Sequence, residues 1–165
     1  MHAKLASPTS TLKATLGAYP SPTVAFSALV GDANFACTAL QLNQWTSQRV
    51  PTYAYEFNDD NAPLPFPLPL DPPVATHVSE LVYLFVLPNA PLQVTLSPDQ
   101  EALAASMRAA WASFAASGNP ASESNLRWPP FGGSSQQRVL SLLAPGSIVI
   151  RDFAPRHHCS FWAAQ

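Results

Sequence analysis

Apolar and polar positions along this chain follow two periods, one near 3.6 and one near 2. The clearest helical stretch is "SPDQEALAASMRAAWASFAASGNP". Leu103, Met107, Ala110, Trp111 and Phe114 recur at spacings of three and four and share one apolar face. Ser97 is placed to cap it, Pro98 suits a first helical turn, and Gln100 completes a capping box. Gly118 and Pro120 stop it. Two helices are predicted earlier. One is "PTVAFSALV" from Pro22. The second starts at Asp32 as N-cap, continues as "ANFACTALQLNQWTSQR", carries Phe35, Ala39 and Leu42 on one face, and ends before Pro51. Residues 52–57, "TYAYEF", are rich in β-formers and read as a strand. "RVLSLL" and "SIVIRDF", separated by "APG", read as a hairpin. "SELVYLF" is short and apolar, and its pattern allows helix or strand. The last segment, "PRHHCSFWAAQ", reads as a short helix.

Between these elements the pattern breaks once at length. "NAPLPFPLPLDPP" (61–73) has prolines at 63, 65, 67, 69, 72 and 73, which remove too many backbone donors for an interior strand. A polyproline linker or a ligand for a proline-binding module is one reading. Its place between two well-patterned elements favours an ordered loop at the mouth of a site. Residues 1–20 are polar and turn-rich. No internal repeat occurs, and 165 residues fit one domain or one piece of a larger one.

Composition sharpens this picture. Hydrophobic residues make up 47 %, but charged residues only 11 %, against about 25 % in ordinary soluble domains. Such a chain has few charges to cover its own surface. Either a missing partner covers its apolar faces, or it is a secreted protein of neutral style. The net charge of −2, with no basic block, argues against nucleic acid. No uninterrupted apolar run reaches the roughly 20 residues that span a bilayer, so no membrane span is expected. "MHAKLASPTSTLKATLG" has no apolar signal core; for an exported protein the signal would lie outside this sequence.

Candidate chemistry is sparse. His77 stands at the start of an apolar run, "THVSELVYLF", with Glu80 three residues on. His157 and His158 adjoin Cys159, but without a second ligand pair this is weak ground for a metal. By count alone, Cys37 and Cys159 are equally free thiols or a disulfide.

Six ordered motifs, "VGDANFAC", "VPTYAYEF", "THVSELVYLF", "LSPDQEALAASMRAAWASFAASGNP", "RWPPF" and "HHCSFW", resemble the C-terminal part of the type B carboxylesterases, the group with para-nitrobenzyl esterases and cholinesterases. The resemblance runs from about "AYPSP" to the end. It implies an α/β class: the C-terminal portion of an α/β-hydrolase fold, with sheet-edge strands and packed helices, incomplete on its own. It makes His77 the triad histidine, since a glutamate and an apolar helix follow it in the family pattern. Serine is a weak nucleophile at neutral pH and needs such a base within hydrogen-bond reach. Glu80 becomes a carboxylate beside the site; as a helix-start acid it would equally satisfy the helix dipole. Val86 stands where the family often has glycine. The resemblance also implies a Cys37–Cys159 disulfide and with it an oxidising compartment, secreted or periplasmic.

The nucleophile elbow G-x-S-x-G is absent from the sequence. Asp59, Asp60 and Asp71 do not match the triad acid. The expected function is therefore a serine carboxylic-ester hydrolase fragment that supplies the histidine and is inactive alone. Its implied partners are a small-molecule ester and the missing N-terminal part, with no cofactor or metal. The other reading is a non-catalytic, cholinesterase-like interaction module or a decayed pseudoenzyme fragment.

Overall fold

The computed structural model of the chain describes residues 19–68, 71–121 and 124–164; most of the polar segment expected at 1–20 lies outside them. Helix α1 (Pro22–Gly31) starts with Ser21 as N-cap, its hydroxyl accepting from the Val24 amide, and with proline in the first turn. A helix end was expected here, with Asp32 as the cap of a second helix. Asp32 is instead helical (φ −62°, ψ −49°) and buried. The rod runs on through a π-helical turn (Asp32–Ala36) into α2 (Cys37–Thr46). The carboxylate that suggested a cap is engaged elsewhere, as described below.

This continuous helix, Pro22–Thr46, bears on the membrane expectation without deciding it. It is 25 residues long, its most apolar 18-residue stretch has a mean hydropathy of 1.3, and by length and composition alone that is enough to cross a membrane. Reading the sequence as two helices parted at Asp32 concealed that length. Only 22 % of its most apolar window is buried. The face bearing Phe35 and Leu42 points outward, at 52 % and 56 % exposure, while Leu40 is buried against the sheet side.

Strand β1 (Ala54–Phe57) pairs in parallel with β2 (Val139–Leu142), which pairs antiparallel with β3 (Ile148–Ile150). The hairpin expected from "RVLSLL…SIVIRDF" is thus present. The order β1-β2-β3 leaves β1 without a strand on its other side among the described residues. Period-two alternation sends the strands' side chains to opposite faces. Leu140 and Leu142 join Tyr83, Leu103, Ala104, Met107, Ala110, Leu126 and Trp128 in one core. Val139, Ala54 and Ile150 join Leu40, Phe131, Phe153 and Cys159 in the other. The sheet therefore carries a helical layer on each face, in the α/β manner.

"SELVYLF" resolves as helix: α3 spans Leu81–Leu84, and Phe85 turns extended after it. Beyond it Val86 stands 90 % exposed. Helix α4 (Pro98–Ser117) has the capping box expected from Ser97 and Gln100, and Gly118 ends it at φ 72°, in the left-handed region that glycine enters without strain. Leu103, Met107 and Ala110 are buried as the spacing predicts. Trp111 packs against that core, but Phe114 is half-exposed with its ring edge on Tyr53. Two short helices close the chain, α5 (Phe153–Arg156) and α6 (Cys159–Trp162), broken at His158 by φ 51°. Residues 61–68 and 71–73 hold neither helix nor strand.

Candidate active site

The site is built at the carboxyl end of β1. Two residues past Phe57, Asp59 is almost fully buried. Its Oδ2 accepts from the Tyr83 hydroxyl at 2.6 Å and from Gln100 Nε2 at 3.1 Å. Gln100 Nε2 also donates to the Asn61 carbonyl at 3.0 Å. A buried carboxylate needs such donors to offset its lost hydration. The result joins α3, α4 and the start of the proline-rich loop at one point. Burial and the Asp59 carboxylate push the Tyr83 phenol far above its ordinary range, so it stays a neutral donor. Asp60 serves the next link: its Oδ1 accepts from the Ala75 amide at 2.9 Å. The loop that leaves β1 is thereby brought back beside β1 after its prolines.

His77 follows two residues later, in a tight turn. Its side chain is exposed, and its ring stacks on Phe35 with centroids 4.9 Å apart and planes 25° apart. Among the described residues it makes no hydrogen bond, so both ring nitrogens are open to a further group. Phe35 belongs to the π turn; extra-wide turns of this kind often mark functional positions. Glu80 starts α3 without a side-chain capping bond. Burial, and after it the Glu80 charge, raise the Tyr55 phenol above its ordinary range. The turn holds His77 and Glu80 within one local unit but sets no hydrogen bond between them.

Cys37 and Cys159, 122 positions apart in sequence, are joined in a disulfide with Cα atoms 5.2 Å apart. Beside it lies an arrangement the sequence reading missed. His157 Nδ1 meets Asp32 Oδ1 at 2.6 Å, and its Nε2 meets Glu56 Oε1 at 2.7 Å. Burial alone would lower the imidazolium's pKa, but hydrogen bonds to Asp32 and Glu56 and their charges outweigh it and raise the pKa to about 9. His158 Nδ1 approaches Asp32 Oδ2 at 3.4 Å. The "HHC" segment that suggested a weak metal site is thus an ion-paired and disulfide-bonded staple. The local signal was present, but its partners at positions 32 and 56 are distant in sequence.

Relatives give this arrangement its context. The model of the carboxylesterase family matches residues 11–162. The chain belongs to the carboxylesterase family. It is 33 % identical over 119 residues to the cocaine esterase of Oryctolagus cuniculus, covering 71 % of this chain and 21 % of that one. It is 30 % identical over 138 residues to the acetylcholinesterase of Bungarus fasciatus, covering 81 % and 22 %. The chain thus spans about a fifth of the length of these carboxylesterase relatives. Among solved structures, a carboxylesterase of Geobacillus stearothermophilus superposes with a TM-score of 0.69 at 22 % identity, over 95 % of this chain and 32 % of that one. A thermophilic PNB esterase superposes with a TM-score of 0.65 at 19 % identity, over 95 % and 34 %. The resemblance read from the six motifs and the α/β-hydrolase fold both hold. The described residues form one edge of that carboxylesterase fold, and the disulfide expected from the resemblance is formed.

Proposed function

We propose that this chain is the C-terminal part of a serine carboxylic-ester hydrolase, with His77 as its general base. The supporting observation is the tether of the 74–77 stretch to β1 through Asp60. Open α/β sheets place their sites at the carboxyl ends of strands, and the Asp60–Ala75 bond fixes the histidine loop there. The imidazole would take the proton of a serine hydroxyl as that oxygen attacks the ester carbonyl. It would then give the proton to the leaving alcohol, and repeat both transfers with water to release the acid. The serine, the triad acid and the oxyanion donors would come from an N-terminal part of the same enzyme, since the sequence has no G-x-S-x-G.

Glu80 stands beside this site as a carboxylate at the start of α3, and the proline-rich loop at 61–73 forms part of the entrance. The same N-terminal part would cover the outward face of the Pro22–Thr46 helix. The Cys37–Cys159 disulfide supports a secreted or periplasmic location. The partners in this reading are a small-molecule carboxylic ester and the N-terminal part; the chemistry calls for no cofactor.

The test is hydrolysis of a p-nitrophenyl ester. The chain alone is expected to stay at background. With the N-terminal part supplied in trans or in one polypeptide, hydrolysis appears, and His77→Ala removes it by several orders of magnitude with the fold kept. Activity of the His77→Ala enzyme within a few-fold of its parent would make the histidine a bystander. Phosphonate-sensitive turnover by the chain alone would overturn the division of the triad.

A further inference from the structure

We infer that Ser79 is a positioning residue for His77, holding the histidine turn closed against the backbone preference of Val78. This rests on the reading of His77 as general base.

The turn runs from Thr76 to Ser79. The Ser79 amide donates to the Thr76 carbonyl at 3.1 Å, which closes it around His77 and Val78. Val78 lies at φ 69°. At the third position of a turn a positive φ is the place for glycine or asparagine. A β-branched residue there is a true outlier, because its Cβ crowds its own backbone. Such a conformation persists only where the surroundings over-determine it.

Ser79 supplies that determination. Its side chain is fully buried. The hydroxyl donates to the Thr76 carbonyl at 2.7 Å and accepts from the Thr76 amide at 3.2 Å. One small side chain thus ties both backbone polar groups of Thr76, on the far side of the histidine. The Thr76 hydroxyl is buried with no partner among the described residues, so it does not hold the turn. On its other side Ser79 is continuous with a rigid element: the Leu81 amide bonds the Val78 carbonyl at 3.1 Å, and Tyr83 in α3 is wholly buried on Asp59. The hydroxyl therefore transmits the fixed position of α3 to an exposed imidazole. Ser79→Ala removes that link with almost no change of volume, and Val78→Gly removes the strain the link opposes.

The first experiment uses the 165-residue chain, isotope-labelled, as wild type, Ser79→Ala, Val78→Gly and the double variant. The readouts are nuclear Overhauser contacts between the His77 and Phe35 rings and the exchange protection of the Ser79 amide. Ser79→Ala should lose the ring contact and reduce that protection by about fivefold or more, with the Met107 and Phe131 signals unmoved. Adding Val78→Gly should restore both. Retention of contact and protection in Ser79→Ala overturns the inference. If Ser79→Ala does not fold, the double variant decides. Recovery of fold and ring contact supports the inference; recovery without the contact, or no recovery, overturns it. In the assembled enzyme, Ser79→Ala should lower kcat by about ten- to a hundredfold with KM nearly unchanged, and the double variant should regain it. An unchanged kcat, or a loss confined to KM, counts against positioning. An active His77→Ala enzyme alongside the expected results on the chain would instead remove the general-base reading, with the turn staple intact.

Discussion

His157 and Asp32 stand 125 positions apart in sequence, and ring nitrogen and carboxylate meet at 2.6 Å. With Glu56 on the other ring nitrogen, the imidazolium ties the long helix, β1 and the terminal segment together. Its pKa rises from 6.5 to about 9 on folding. A raised histidine pKa stabilises the fold fully below the unfolded value and loses that contribution as pH climbs through the folded one. Stability should therefore fall between pH 6.5 and 9. After allowance for partial solvent screening the loss is about 1–3 kcal/mol. His158 and Tyr19, which also sense Asp32, share the environment. Thermal melts across this range on wild type and His157→Gln check it: the variant should be less stable at pH 6 and nearly flat up to pH 9. A wild-type melt equally flat would contradict the pairing.

Reduction of the Cys37–Cys159 bond should cost up to about 4–5 kcal/mol, since it frees a loop of more than a hundred residues in the unfolded chain. Intact-mass measurement after alkylation should find no modified thiol until reductant is added. Chemical denaturation of the reduced chain then gives the stability difference. Two thiols alkylated in the untreated protein would show that the bond does not form.

Tyr83→Phe should destabilise the chain by about 1–3 kcal/mol, because among the described residues it leaves the buried Asp59 carboxylate with Gln100 as its remaining side-chain donor. The urea midpoint measures it. A change under about 0.5 kcal/mol would mean that water or a rearranged Gln100 replaces the phenol.

Met107→Ala and Leu42→Ala make a matched pair. Both residues were legible as apolar positions at helical spacing, but Met107 is fully buried and Leu42 is 56 % exposed. In the chain alone the first should cost about 2–5 kcal/mol and the second less than about 0.5 kcal/mol. On addition of the N-terminal part, Leu42→Ala should weaken assembly. An equal effect of the two in the isolated chain would refute the outward orientation of that helix face.

The legible parts of this fold were those set by local chemistry. The Ser97–Gln100 box, Gly118 and the period of Leu103, Met107 and Ala110 specify α4 from its own residues and the two that flank it. The hairpin around "APG" is similarly local. Asp32 was misread for a physical reason: an aspartate before an apolar run is a good cap in isolation, and only the distant His157 makes a mid-helix position favourable. The candidate site divides in the same way. His77 and Cys159 carried recognisable patterns in their neighbourhoods. The Asp59–Tyr83–Gln100 network, the Asp60 tether and the two carboxylates on His157 are contacts across the fold, and no short pattern encodes them. Ser79 and the left-handed Val78 were invisible too, since a buried serine and a valine look ordinary until the backbone angle is known.

The parallel pairing of β1 with β2 also sets a timetable. Parallel neighbours need a long crossover, and the Asn58–Ser141 bond that continues this pair spans 83 positions. A ribosome making this chain releases the long helix and β1 well before β2 exists. In that interval β1 lacks β2, its sheet neighbour among the described residues, and Asp32 and Cys37 wait for a terminal segment not yet synthesised. Such distant pairings form slowly and leave strand edges open to wrong partners while they wait. The last dozen residues, carrying His157 and Cys159, therefore act as the closing step of biogenesis: nascent chains cut short before them would leave the helix unfastened.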